Sequence, residues 1–420
     1  MRSFHSVLFL IPVIILIDLY VLKGLSGLLK GKKPALRRTV LLTYILFSLL
    51  ILIGIFAFYL NYEHKPEEEI RYRRLLGFLG IFIIQFGIKF SYVFFEILHD
   101  IRQLLIRLKP RRKFKESLVT EDSVSSRREF IRKAGVLFTS LPFLGIIHGI
   151  GWGRFRFTVH HSEITFNDLP EAFDGLRIVQ LSDAHLGGFF SHREKLEEVV
   201  EIVNEIKPDL LLFTGDMVNN FASEMNGWTD LWSRMGARLG KYSVLGNHDY
   251  GDYSDWDSPQ KKAINFQEIL RHQQAMGFTV LRNENIPIES NGQRIYLAGV
   301  ENWGMPPFKR YGDLAKAMKG IPEDGFVVLM SHNPDHWNHG VLDDGRISLT
   351  LAGHTHGFQI GIEIGPIKVS PSQLMYKYWA GLYRDGNQYL YVNRGLGYLA
   401  FPSRVGMWPE ITLLELKKGI

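Results

Sequence analysis

Five times between residues 176 and 356 a short apolar run stops, and a side chain able to hold a metal or a proton follows at once. Residues 176–181 lead to Asp183 and His185, residues 210–213 to Asp216, and residues 242–245 to Asn247, His248 and Asp249. Residues 326–330 lead to His332, and residues 347–351 to His354 and His356. Short apolar runs bounded by turn residues read as buried strands. In open α/β sheets, ligands collect outside the carboxyl ends of such strands. The recurrence therefore predicts an α/β (α+β) domain whose chemistry lies along one edge.

The stretches between these runs fit that plan. Ser191, with Glu194 three residues later, reads as a capping box. Leu196, Val199, Val200, Val203 and Ile206 then fall on one helical face until Lys207-Pro208-Asp209 ends the helix. Residues 176–216 thus read as a β-α-β unit. Residues 154–166 and 294–300 read as strands, and 389–392 as a strand leading into Asn393. Residues 264–276 read as a helix capped by Gly277. The segment 219–240, with Met225, Trp228, Trp232 and Met235, reads as packing helix, and 250–262 as a loop beside the site.

The chain is 420 residues long, too long for one ordinary domain, and its apolar residues are unevenly spread. Up to about residue 150 they form long, nearly uncharged blocks. Residues 4–22, 39–60 and 75–98 are each long enough to span a bilayer, and 134–152 is a weaker fourth candidate. The third carries Lys89 and Glu96 on one helical face, where they could pair or snorkel. The expected organisation is a transmembrane helical bundle over 1–152, with a basic loop at 99–133, followed by a catalytic domain over 153–420. The net charge of +6 sits largely in the membrane-flanking loops, so it does not point to nucleic acid. Absence of cysteine rules out disulfides and thiolate metal sites.

Loop charge sets orientation. The loop after the first span holds six Lys and Arg and no acid, the next is balanced, and 99–133 is again basic. If 134–152 spans, the domain after it lies outside the cytoplasm, and if not, inside. Ser126-Arg127-Arg128-Glu129-Phe130-Ile131-Arg132 has the look of an internal twin-arginine export signal, or of two arginines flanking a span.

Carboxylates, imidazoles and one amide form a hard-to-borderline donor set suited to Mn, Fe or Zn. There are too many donors for one ion, and a carboxylate can bridge two. Two divalent ions roughly 3.5–4 Å apart clamp a phosphoryl group. A lone D-x-H or H-x-H is an ordinary turn or a hydrogen-bonded histidine; five motifs in order, each past an apolar strand, carry far more weight.

The order D-x-H, G-D, G-N-H-D, H, G-H-x-H resembles the calcineurin-like metallophosphoesterase superfamily over about residues 155–415. Within it the chain is similar to bacterial membrane-associated members, including twin-arginine-exported phosphoesterases and UDP-2,3-diacylglucosamine pyrophosphatase-type enzymes. Asn393-Arg394-Gly395-Leu396-Gly397 and Trp408-Pro409-Glu410-Ile411 add to that likeness. The resemblance implies a two-sheet αββα sandwich. It implies Asp183, His185 and His356 on one metal, Asn247, His332 and His354 on the other, and Asp216 bridging. It also implies His248 as general acid with Asp249 orienting it, in-line attack without a covalent enzyme intermediate, and Mn²⁺ ahead of Zn²⁺ or Fe.

A phosphoesterase tethered in a bacterial inner membrane meets lipid head groups. The expected substrate is a phosphate ester or pyrophosphate of a lipid or cell-envelope molecule, handled by an extracytoplasmic site. A UDP-2,3-diacylglucosamine-type pyrophosphatase would need a cytoplasm-facing site. A non-catalytic phosphate-binding scaffold is the reading from another class, which an intact His248 disfavours. Phe189, Phe190, Met305 and Phe308 are candidates either for an acyl or bilayer contact or for core.

Overall fold

The computed structural model describes residues 2–62, parts of 70–105, and 137–419 apart from 138, 139, 142, 190, 191, 307, 308 and 366. The chain divides into two compact units, Met1–Ile147 and His148–Ile420.

In the first unit, α1 (Arg2–Leu28) and α2 (Pro34–Tyr62) hold the first two expected spans. Their apolar windows, Ile11–Leu28 and Pro34–Ala57, have mean hydropathies of 1.9 and 2.7. A helix satisfies its own backbone hydrogen bonds, so such segments can cross hydrocarbon. Side-chain charges need partners there, and Asp18 and Lys89 have them. Lys89 Nζ lies 2.6 Å from Asp18 Oδ1, which also accepts from Ser48 Oγ at 3.0 Å and from the Tyr44 hydroxyl. Lys89 therefore pairs with Asp18 of α1. The expected third and fourth spans fall largely outside the described residues, within which 92–98 and 143–151 are helical. The basic loop 99–133 is almost wholly outside them, and the arginine motif 126–132 entirely so.

The second unit is built on β1 (Thr158–Phe166), β2 (Leu176–Leu181), α3 (Arg193–Ile206), β3 (Leu210–Phe213), α4 (Thr229–Ser233) and β4 (Gly240–Ser243). Next come α5 (Pro259–Ala275), β5 (Thr279–Val280), β6 (Glu284–Ser290), β7 (Gln293–Gly299), α6 (Leu314–Ala317), β8 (Val327–Met330) and β9 (Ile347–Ala352). Last are β10 (Ile362–Ile364), β11 (Ile367–Val369), β12 (Gly381–Asp385), β13 (Gln388–Val392) and β14 (Glu410–Lys418).

Two six-stranded mixed sheets result, ordered β1-β14-β2-β3-β4-β5 and β12-β13-β9-β8-β7-β6, plus the hairpin β10-β11. Strands β2 to β5 run parallel, as do β7, β8, β9 and β13. Strand β14 enters the first sheet parallel to β1 and antiparallel to β2.

Alternation along each strand divides the apolar residues between two faces. Ile178, Leu210, Leu212 and Val244 meet Leu297, Val328, Met330, Leu349 and Leu351 in one buried layer between the sheets. Val179, Leu181, Leu211 and Phe213 point the other way, onto Leu196, Val199, Val200 and Val203 of α3. Each such aliphatic side chain, fully buried, contributes about 1.5–3 kcal/mol. The observed architecture is thus two mixed sheets flanked by helices, preceded by two apolar helices.

Local departures have plain causes. Helix α3 starts at Arg193 with His192 at its cap and no side-chain capping bond, while Ser191 lies outside the described residues. The Trp- and Met-rich segment yields only a 3-10 turn at Ala222–Met225 and the short helix α4, yet Met225, Trp228, Trp232 and Met235 all pack in the core. Phe189 is fully buried there too, which answers that alternative in favour of core. Met305 is half-buried, and Phe190 and Phe308 are outside the described residues.

Candidate metal centre

Strands β2, β3, β8 and β9 each end where the polar motifs begin, and the segment after β4 does the same. The first sheet delivers Asp183, His185, Asp216 and Asn247; the second delivers His332, His354 and His356. Two clusters form where the edges meet. Asp183, His185 and His356 bring ligand atoms within 4.8 Å of one another, and so do Asp216, His332 and His354.

In the first cluster His185 Nε2 and His356 Nε2 are 3.1 Å apart, and His356 Nε2 is 3.3 Å from Asp183 Oδ1. In the second, His354 Nδ1 and His332 Nε2 are 3.2 Å apart, and Asn247 Oδ1 is 3.2 Å from the same His332 nitrogen. Asp216 Oδ2 stands between the clusters, 3.2 Å from His332 Nε2 and 3.8 Å from His185 Nε2. All seven side chains predicted from the sequence are brought together.

Neighbouring hydrogen bonds leave the inward nitrogens free to act as donors to an ion. His332 Nδ1 donates to the Thr214 carbonyl at 2.8 Å, so Nε2 is the nitrogen that would offer its lone pair once an ion takes the place of the proton there. His354 points Nδ1 inward and keeps Nε2 3.1 Å from the Tyr376 hydroxyl. Asn247 Nδ2 donates to the Tyr253 hydroxyl at 2.8 Å, which turns its amide oxygen inward. Facing imidazole nitrogens with buried carboxylates form a donor set suited to divalent cations such as Mn, Fe or Zn.

The electrostatics reflect the same crowding. Burial disfavours the charged form of Asp183, but the His356 ring outweighs it and holds the carboxyl below its ordinary value. Burial also works against an ionised Asp216, and His332 and His248 overcome it. Burial would lower His332, yet the Asp216 carboxylate pushes it up to about 9. His354, buried beside His332, is held down to about 3. His185 is held well below the usual range by burial and by the His356 ring.

The backbone is bent to the task. Asp183, His185, Asp216, His354 and His356 all have positive φ, from 42° to 73°. An L-residue in that region costs about 1–2 kcal/mol. The glycines of the motifs also have steric reasons. A Cβ on Gly246 would sit 2.1 Å from Asp216 Oδ1, and one on Gly353 would sit 2.3 Å from Asp183 Oδ2.

His248 lies beside the clusters, its ring edge-on to His185 with centroids 5.0 Å apart, and against Tyr253 at 4.5 Å. Its backbone amide donates to Asp216 Oδ1 at 2.8 Å. Its Nδ1 donates to the Asn219 carbonyl at 2.6 Å. This corrects one expectation: Asp249 does not orient the ring. The Asp249 carboxylate turns the other way and accepts from the amides of Gly246, Asp216 and Met217, each at 2.9 Å. An acceptor with three loop amides in reach is spent on them, and the carbonyl of Asn219 takes the role at His248. Burial and the Asp216 charge raise the Asp249 carboxyl above its ordinary value, while the amides pull it back.

Sequence reasoning missed several supporting groups. Glu224 binds the amides of Asn219, Asn220 and Phe221 and so fixes the carbonyl that His248 uses. Tyr376 touches His354, and the buried Arg404 lies with Nη2 3.1 Å from His356 Nδ1. Nothing in their spacing announces them, since each reaches the site from outside the five motifs.

Comparison with known families agrees with this geometry. The family described as calcineurin-like phosphoesterase matches residues 176–358. A second, described as probable calcineurin-like phosphoesterase, transmembrane domain, matches residues 1–154. The metallophosphoesterase YkuE of Bacillus subtilis is 34% identical over 306 residues, which cover 70% of this chain and 98% of that protein. A transmembrane protein with metallophosphoesterase domain from Danio rerio is 33% identical over 61% of this chain, which spans only 56% of that protein's length. The phosphodiesterase YaeI of Escherichia coli is 27% identical over 69% of this chain and 99% of its own. With two carboxylate–histidine clusters at the strand ends, and this likeness along nearly the whole of YkuE, the chain belongs to the calcineurin-like metallophosphoesterases and is a metal-dependent phosphoesterase.

Proposed function

We propose that this protein is a membrane-anchored, dinuclear-metal phosphoesterase that hydrolyses a phosphate ester or pyrophosphate bond in a lipid or cell-envelope substrate. The observation that carries the dinuclear reading is Asp216 Oδ2, within reach of both clusters. In this reading Asp183, His185 and His356 hold one ion, Asn247, His332 and His354 the other, and Asp216 is shared. Two divalent ions held there would supply Lewis-acid stabilisation of charge on the phosphoryl group. The donor set suits Mn²⁺, with Zn²⁺ or Fe as alternatives.

His248 is the general acid. Its Nδ1 proton is committed to the Asn219 carbonyl, so Nε2 is the atom that hands a proton to the leaving oxygen. The catalytic domain is 153–420 and the anchor 1–152. The apolar helices support a membrane setting, and basic loops at 23–38 and 99–133 favour an extracytoplasmic domain. That side favours a phospholipid, carrier lipid or wall polymer over a UDP-2,3-diacylglucosamine-type substrate.

The test is hydrolysis of a chromogenic phosphodiester by purified full-length protein with Mn²⁺, beside the His248→Ala variant. The expected loss is about 10²- to 10⁴-fold in kcat with metal content kept. Metal binding without turnover in the unaltered protein would favour the phosphate-binding scaffold. A C-terminal reporter fusion reads out the side, and lipid profiles with and without active protein narrow the substrate.

A further inference from the structure

The hairpin β10-β11 is built inside out. Its register places Ile362 opposite Val369 and Ile364 opposite Ile367, so these four share one face, with Glu363 and Lys368 on the other. A ribbon lying on a domain normally turns its apolar face inward. Here Glu363 points in, its carboxylate receiving the buried Arg394 guanidinium at 3.0 Å and Lys368 Nζ at 3.2 Å. The four aliphatic residues point out, 47 to 70% exposed. The next turn adds Leu374 and Met375, 86% and 67% exposed, and Phe358 precedes the ribbon at 41%.

This apolar segment is tied to the metal centre at both ends. It begins two residues after His356, and it ends at Tyr376, whose hydroxyl lies 3.1 Å from His354 Nε2. The exposed face itself is aliphatic and gives the centre no side-chain hydrogen bond. A contiguous apolar patch beside a site marks a surface that meets something apolar. The same chain carries helices apolar enough to cross a membrane, so a bilayer is the apolar phase that the domain is tethered to.

We propose that β10-β11 and the turn through Met375 form a membrane-docking surface, in which Ile362, Ile364, Ile367, Val369, Leu374 and Met375 enter the boundary between head groups and acyl chains. Interfacial elements of this kind bury an apolar face by about 5–10 Å while their polar face stays with the protein or water. The salt-bridged Glu363 fixes the ribbon to the domain, so its insertion holds the two metal clusters at head-group level. The docking does not depend on which phosphate is cut.

The absence of cysteine makes the test direct. Full-length protein carrying Ile364→Cys, labelled with an environment-sensitive fluorophore, is reconstituted in vesicles of phosphatidylethanolamine and phosphatidylglycerol. Lys319→Cys, exposed on a different loop, is the reference. Doxyl-labelled lipid should quench the label at 364 and spare that at 319, while aqueous iodide should do the reverse. Iodide reaching both sites alike would overturn the proposal. So would shielding of 364 from both quenchers, which would mean that protein, a second copy or another part of this chain, covers the ribbon. As a functional arm, the Ile364→Ser/Ile367→Ser double variant should keep hydrolysis of a soluble chromogenic diester within about twofold, since surface substitutions cost little, and lose activity on diester lipid in vesicles. No diester hydrolysis by the unaltered protein would count against the enzymatic reading while leaving the quenching result standing.

Discussion

The carbonyl of Asn219 sets the tautomer of His248, and Glu224 sets that carbonyl by gripping three amides of its loop. Replacing Glu224 with Gln keeps the volume but turns an NH₂ donor toward amide donors. The expected result is a protein that still folds and binds metal, with kcat lowered and KM little changed, checked by steady-state kinetics. Asp249→Ala should behave differently. It leaves several buried loop amides without an acceptor, at about 1–3 kcal/mol for each group so stranded. A fall in Tm that appears with or without metal would mark the structural role; a loss confined to kcat would restore the orienting role. The gathering of the seven candidate metal-holding side chains was legible because each follows an apolar run in the chain itself. The direction of Asp249 was not, because G-N-H-D places it one residue from His248 and only the fold reveals amides closer to its carboxylate.

At the scale of elements, β14 is the piece the sequence concealed. It enters between β1 and β2 from the far end of the chain, and its pairing partners lie more than two hundred residues away. Strand alternation says which face a residue takes but not which strand lies beside it. By contrast, β2-α3-β3 was readable because the helix period and both strand runs are local. Leu196→Ala in α3 should cost about 2–5 kcal/mol, as for other fully buried leucines, measured by denaturant unfolding.

Strand β14 also begins at Glu410, which is buried against Arg394 at 2.5 Å. Burial alone would raise this carboxyl, but the Arg394 guanidinium holds it below its ordinary value of 4.5. The pair therefore adds stability that is fully present above pH 4.5 and is lost as pH falls through the lower folded value. Glu410→Gln should flatten the acid limb of a Tm–pH curve relative to the unaltered protein.

Across the whole of the second unit, each cluster draws its candidate metal-holding residues from both sheets. Asp183 and His185 come from the first sheet and His356 from the second; Asp216 comes from the first, and His332 and His354 from the second. Bound ions would clasp the sandwich at one end and offset the five left-handed residues there. Free metal at about a hundred times its dissociation constant would add about 2.7 kcal/mol. Chelation should lower Tm, and adding Mn²⁺ back should restore it, read by differential scanning calorimetry. The chain divides into Met1–Ile147 and His148–Ile420, close to where its long uncharged runs give way to short punctuated ones.

Because neither sheet alone owns all the donors of either cluster, the complete centre exists only once the two sheets have closed on each other. Loading of the full pair would then follow that closure. The compartment in which closure happens, through its free Mn, Fe and Zn, chooses the ion. Protein refolded with one metal as the sole divalent ion should carry that metal, and the same polypeptide would be a differently tuned catalyst on either side of a membrane.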